Sequence, residues 1–244
     1  MLALSILSLW IYRHPLVWGG LLALSLGLGW QAGMILPVGL VFVLLWVGLW
    51  LGYLQAKKPL IFVAILLMSF GMKLHLLPGF IPMEVAPKLR VGFDSPLVGL
   101  LPLALFVPIW KGWPIDKGFW LGVFGIVLIA IIGALSGAFR LGFRLPDPLF
   151  LLFNFIFTAI PEEGFYRGFL QRELSRLGGP FVGIVLASSA FTLAHVLWAH
   201  NLAALGFVFL ASLLYGLVYW LSGKIESAIL CHFLLNAVRY SFSM

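Results

Sequence analysis

The chain has 244 residues, 63% of them hydrophobic and 9% charged, with a formal net charge of +7. Soluble domains hold about 25% charged residues, so a water-soluble fold is excluded and the apolar surplus must face lipid. The basic excess does not point to nucleic acid. Arg13, Lys57, Lys58, Lys88, Arg90, Lys111, Lys117, Arg140, Arg144, Arg172 and Arg176 stand singly or in pairs at the ends of apolar runs, where anionic headgroups and topology signals place them.

In chain order, residues 1–12 are apolar but too short for a bilayer core, which takes roughly 20 helical residues. Arg13 and His14 follow that run rather than precede it, so a cleavable signal peptide is not expected. Candidate spans then fall at 15–31, 33–55, 59–77, 95–110, 118–139, 148–161, 180–198, 203–222 and 225–241. Several are short, so the expected fold is all-α: a polytopic transmembrane bundle of roughly eight spans. It is read as one integral membrane domain, 1–244, with a motif-bearing core at 148–241. Pro and Gly at Pro59, Gly112, Pro114, Pro146, Pro148, Gly178, Gly179 and Pro180 punctuate the spans. Residues 73–96, with Lys73, His75, Glu84, Arg90 and Asp94, form the longest polar loop. Trp10, Trp18, Trp30, Trp110, Trp113 and Trp120 lie near span ends, as interfacial anchors do. Basic residues occur in successive loops, so the positive-inside count does not orient the chain.

Cys231 is the only cysteine. It allows neither an intrachain disulfide nor a cysteine metal cluster and reads as a small buried hydrophobe.

Charges inside membrane segments are costly and therefore informative. Glu162 and Glu163 follow the apolar run Leu149–Ile160 and Pro161. The spacing predicts that a helix starts at Pro161, with the two carboxylates at its positive end. Glu163 and Arg167 are four apart and share a face, so Arg167 can neutralise one carboxylate while Glu162 works as a general base. The plainer alternative is a pair of interfacial charges capping a helix. His195 lies in the span 180–198, and alone it reads first as a hydrogen-bonded bundle histidine; His200 is placed at the interface. His232 and Asn236, four apart, project donors from one helix face, suited to an oxyanion or to helix–helix hydrogen bonding. A base, a histidine and two donors on three spans are the parts of a water-activating amide hydrolase.

Three ordered motifs carry a resemblance: Glu162-Glu163-Gly164-Phe165-Tyr166-Arg167, Phe191-Thr192-Leu193-Ala194-His195 and His232-Phe233-Leu234-Leu235-Asn236. Together they resemble the CPBP family of intramembrane proteases, also called the CAAX protease or Abi family. The N-terminal half matches more weakly, at 76–80 and Asp94. The resemblance implies a helical bundle with a conical cavity open to the cytosol, in the plasma membrane of a prokaryote. It implies that Glu162 activates water with help from His195, that His232 and Asn236 form the oxyanion hole, and that Glu163 and Arg167 support the site. No cofactor is implied. The partners expected are the lipid bilayer and a membrane-associated peptide or protein, prenylated in members that process CAAX proteins.

Three rivals stand beside this reading. Glu162, His195 and His232 could hold zinc, although no HExxH motif is present and Asn236 is a poor zinc ligand. The chain could instead be a non-catalytic scaffold or bacteriocin-immunity factor. Intramembrane carboxylates also mark ion paths, but no repeated pair of broken helices suggests a transporter.

Overall fold

A computed structural model describes residues 1–86, 89–138, 144–197, 199 and 201–242. The expectations placed on Lys88, Arg140 and His200, and on the last residues of spans 118–139 and 180–198, lie outside them. The described chain is mainly helical and divides into two compact units, Met1–Leu105 and Phe106–Met244. Four of its helices are long and apolar enough to cross a membrane: Pro37–Ala56, Lys117–Leu135, Pro148–Leu193 and Leu202–Ser222. Their outward faces carry large apolar side chains such as Leu44, Phe124, Leu186 and Leu210, as a lipid-facing surface requires.

The first unit contains α1 (Leu2–Ile11), α2 (Pro15–Gln31), α3 (Pro37–Ala56), α4 (Pro59–Lys73) and α5 (Asp94–Leu105). Proline opens α2, α3 and α4, where its missing N–H is no loss. Residues 1–12 are helical over α1, which packs on α2 and α5. Arg13 donates to the carbonyls of Leu103 and Ala104 at the end of α5, the latter at 2.7 Å, which satisfies groups no helix turn can reach. The predicted polar loop 73–96 is more ordered than its composition indicates. It holds an antiparallel hairpin of β1 (Met83–Ala86) and β2 (Leu89–Val91), with Glu84 opposite Arg90. The loop is also tied across its ends: His75 Nδ1 meets Asp94 Oδ2 at 2.5 Å, and Lys73 donates to Ser95 Oγ at 2.9 Å.

The second unit opens with an irregular segment, 106–116, fastened by side chains from further along. Arg172 donates to the Phe106 carbonyl at 2.5 Å, and Glu226 accepts the Trp110 N–H at 2.8 Å. Lys224 donates to the Trp113 carbonyl and Ser227 to the Pro114 carbonyl, both at 2.7 Å. Asp116 then caps α6 (Lys117–Leu135) by accepting the Phe119 N–H and pairs with Lys224 at 2.9 Å.

After α6 comes the helical stretch Pro148–Leu193, and then α10 (Leu202–Ser222) and α11 (Ile225–Phe242). The stretch comprises α7 (Pro148–Phe153), a π turn at Asn154–Ala159, α8 (Ile160–Phe165), a second π turn at Tyr166–Gln171 and α9 (Arg172–Leu193). Its single interruption is inside α9 at Gly179, whose φ of 84° and ψ of 170° lie outside helical space; Pro180 starts the next segment there. The core joins Phe119, Ile126 and Ile129 of α6 to Tyr215 and Val218 of α10 and Cys231 and Leu235 of α11. Cys231 is fully buried, and a methyl group on Gly122 would collide with its sulfur. α6 and α11 approach closely through that glycine.

Candidate active site

Glu162 and Glu163 do not open a helix, contrary to the expectation from Pro161. Ala159 and Ile160 both have helical backbone angles, so the chain runs through Pro161 without a stop. The π turn Asn154–Ala159 immediately precedes it. Proline in a helix interior clashes with the carbonyl one turn back and leaves it without a donor. A wider turn relieves that clash, and π bulges recur at functional sites. The carboxylates therefore take no stabilisation from a helix terminus. Their charge is met by side chains.

Glu163 is fully buried and engaged on both sides. Its Oε2 lies 3.2 Å from Arg167 Nε, and its Oε1 accepts from His232 Nδ1 at 2.7 Å. Arg167, also fully buried, donates from Nη2 to the carbonyl and the hydroxyl of Ser212, each at 2.7 Å. Its guanidinium carbon stands 5.0 Å from the centre of the Phe191 ring and 5.5 Å from that of Tyr215. A buried ion pair holds only when its remaining donors and faces are compensated. Here one carboxylate, one serine and two aromatic faces meet Arg167, while its Nη1 is left without a hydrogen-bond partner.

Glu162 is 4% exposed, with Oε2 3.8 Å from His232 Nε2. The two adjacent carboxylates thus meet the two nitrogens of one imidazole. A carboxylate only accepts, so His232 Nδ1 carries a proton. Nε2 is then a lone pair in the neutral ring and a donor only in the imidazolium. Tyr215 stacks flat on the ring at 4.7 Å and fixes its plane.

His195 lies beyond the last residue of α9, Leu193, and not within the helix as the span 180–198 implied. Its Nδ1 donates to the Phe191 carbonyl at 2.8 Å, filling one of the acceptors a helix end leaves open. The neutral ring then carries its lone pair on Nε2. The imidazole stacks on Phe191 at 4.5 Å, and the same phenylalanine meets the His232 ring edge-on at 5.8 Å. Phe191 is the hub through which His195 joins the cluster.

Asn236 projects one turn along α11 from His232, and its Nδ2 donates to Asn154 Oδ1 at 2.8 Å. One of its two N–H groups is therefore already directed. Among the described residues, no three His, Cys, Asp or Glu side chains stand where they could share a metal ion.

Four contributors do not stand out in the motifs. Ser212 and Tyr215 of α10 hold Arg167 and His232. Gln171 donates to the Gly216 carbonyl at 2.9 Å, one turn along from the Arg167–Ser212 contact. Asn154 holds Asn236. Of these, Asn154 is a carboxamide inside an apolar run, and that expense is the signal by which the sequence could have disclosed it.

Residues 144–238 match the family model described as Rce1-like, Type II CAAX prenyl endopeptidase Rce1-like. No curated protein and no solved structure was found to match the chain.

Proposed function

Since residues 144–238 match the Rce1-like family model of CAAX prenyl endopeptidases, we propose that the chain hydrolyses a peptide bond of a membrane-associated substrate with water activated by Glu162. The substrate class is a CAAX-type, prenylated C-terminus, and 148–241 is the catalytic core. What supports the reading is the division of labour between the two carboxylates: Arg167 and His232 bind Glu163, while Glu162 turns toward His232 Nε2 from a poorly hydrated position.

In this mechanism Glu162 takes a proton from water as the oxygen attacks the scissile carbonyl carbon. His195 holds the same water through Nε2. The carbonyl oxygen becomes an oxyanion and is met by Asn236 Nδ2–H and by His232. With Nδ1 committed to Glu163, Nε2 is the His232 nitrogen that turns toward the oxyanion. Collapse of the tetrahedral adduct breaks the C–N bond, and the proton held by Glu162 passes to the leaving amine. The products are an amino-terminal fragment that ends in a new carboxylate and a carboxy-terminal fragment with a free amine.

The test is cleavage of a farnesylated CAAX-type peptide by the purified full chain in nanodiscs. Glu162→Gln is expected to lower kcat by about 10²–10⁴-fold while the melting temperature holds. Unchanged turnover in that variant would overturn the reading. Loss of turnover on chelation, with restoration by zinc, would favour a metal-dependent site instead.

A further inference from the structure

Asn154 is 6% exposed and sits in the first π turn, within a stretch that is otherwise apolar from Leu149 to Pro161 apart from Thr158. The carboxamide is engaged at one end only. Oδ1 accepts from Asn236 Nδ2 at 2.8 Å, while the buried Nδ2 of Asn154 has no hydrogen-bond partner. A buried amide left half-satisfied is destabilising, and such groups in native folds call for an explanation in function. A leucine at this position would bury apolar surface without leaving an unpaired N–H.

The placement of the pair is set by the helices that carry it. Phe150 stacks on Tyr240 at 4.1 Å, and Asn154 meets Asn236 one turn further along both chains. The two steps run in opposite directions along the sequence, so α7 and α11 are antiparallel here and the aromatic pair fixes the register of the amide pair. A carboxamide can rotate by half a turn and exchange its oxygen for its nitrogen. Asn236 presented with oxygen toward a developing oxyanion would repel it. Presented with nitrogen, it stabilises it.

We infer that Asn154 is a positioning residue. Its Oδ1 locks the Asn236 carboxamide in the orientation that leaves the second Nδ2–H of Asn236 for the substrate carbonyl oxygen. The inference rests on the peptidase reading above and adds to it a residue outside the three motifs.

The experiment compares full-length chains in nanodiscs on the farnesylated peptide. Asn154→Ala is expected to lower kcat about 10–100-fold, less than outright loss of an oxyanion donor at about 10²–10³-fold, with KM unchanged. Asn154→Asp keeps the acceptor but places a negative charge beside the oxyanion. Its rate relative to wild type is expected to climb as pH falls and the carboxyl protonates. An Asn154→Asp rate that tracks wild type at every pH would overturn the inference. On an Asn236→Ala background, Asn154→Ala is expected to cost nothing further. Wild-type kcat in Asn154→Ala, or losses that add across the pair, would overturn the inference and leave the peptidase reading intact. A wild-type chain that cleaves no peptide overturns the peptidase reading itself. A structure of Asn154→Ala supplies the readout that needs no turnover: a reoriented Asn236 amide supports the inference, and an unmoved one overturns it, whether or not that variant is stable enough to assay.

Discussion

His232 and Glu163 are joined at 2.7 Å across 69 residues of chain, and that bond assigns the histidine's protons. Because Nδ1–H is spent on Glu163, the only nitrogen left to face Glu162 is Nε2, at 3.8 Å. Any chemistry at this histidine is therefore chemistry at Nε2.

The Glu163–Arg167 pair is expected to be a structural necessity as a pair and a hazard when halved. Glu163→Gln leaves a fully buried guanidinium without its counter-charge, at a cost of about 3–5 kcal/mol. The double variant Glu163→Gln, Arg167→Met is expected to regain most of that stability without regaining turnover. Arg167→Lys should not substitute, because one ammonium cannot span Glu163 and Ser212 as the planar fork does. Thermal melts in detergent, read beside peptide cleavage, check all three.

Phe191 is expected to separate packing from function. It is 3% exposed and touches the rings of Tyr166, His195, Tyr215 and His232. Phe191→Ala should cost about 3–5 kcal/mol. Phe191→Leu keeps most of the volume and should cost less than about 1.5 kcal/mol, yet removes the platform on which His195 stacks. A leucine variant that melts near wild type but has lost activity is the expected result.

Asp116 gives the stability a pH dependence whose sign is fixed by its surroundings. Burial raises its carboxyl, but the Lys224 ammonium and the Phe119 N–H outweigh that and hold it below the usual carboxylate range. A depressed folded value means the stabilisation is fully present above the unfolded value of about 3.9. It is lost as pH falls through the folded value. Asp116→Asn is expected to flatten that acid limb, and Asp116→Ala to cost about 1 kcal/mol for the helix cap. Melting temperatures across the acidic range test both.

Gly179→Ala is expected to destabilise through the backbone alone. No atom lies within 4 Å of where a methyl would sit, but φ 84° with ψ 170° is a region for glycine. The cost is about 1–3 kcal/mol. Because the break separates the carboxylate-bearing segment from the one leading to His195, activity should fall with stability. A variant as stable as wild type would show that the break is not held in this form.

Much of this was open to a reader of the sequence. Charges and amides inside apolar runs stand out, so Glu162, Glu163, Arg167, His195, His232 and Asn236 could be picked out by expense alone, and the Glu163–Arg167 contact by spacing. Pro161 misled, because proline reads as a helix start and a π turn leaves no mark in the pattern of apolar residues. The end of α9 at Leu193 was equally hidden, since Ala194, Val196 and Leu197 continue the apolar run past it. Ser212 and Tyr215 look ordinary in a span, because serine bonds its own helix in most bundles. Their partners lie 45 residues back for Ser212 and 17 ahead for Tyr215, by the numbering of Arg167–Ser212 and Tyr215–His232. Pairings between helices are not contained in the periodicity of any one helix.

The wide turn at Asn154–Ala159 carries more backbone than an α-helix would use between Phe150 and Glu162. Each residue of a helix rotates the next by about 100°. Excising one residue there would tighten the turn and swing Phe150 away from Tyr240, or the carboxylates away from His232, because both cannot keep their bearings. The length of that half-dozen residues is therefore constrained more tightly than their identity: a substitution can be absorbed, but a deletion breaks the alignment of one end with the other.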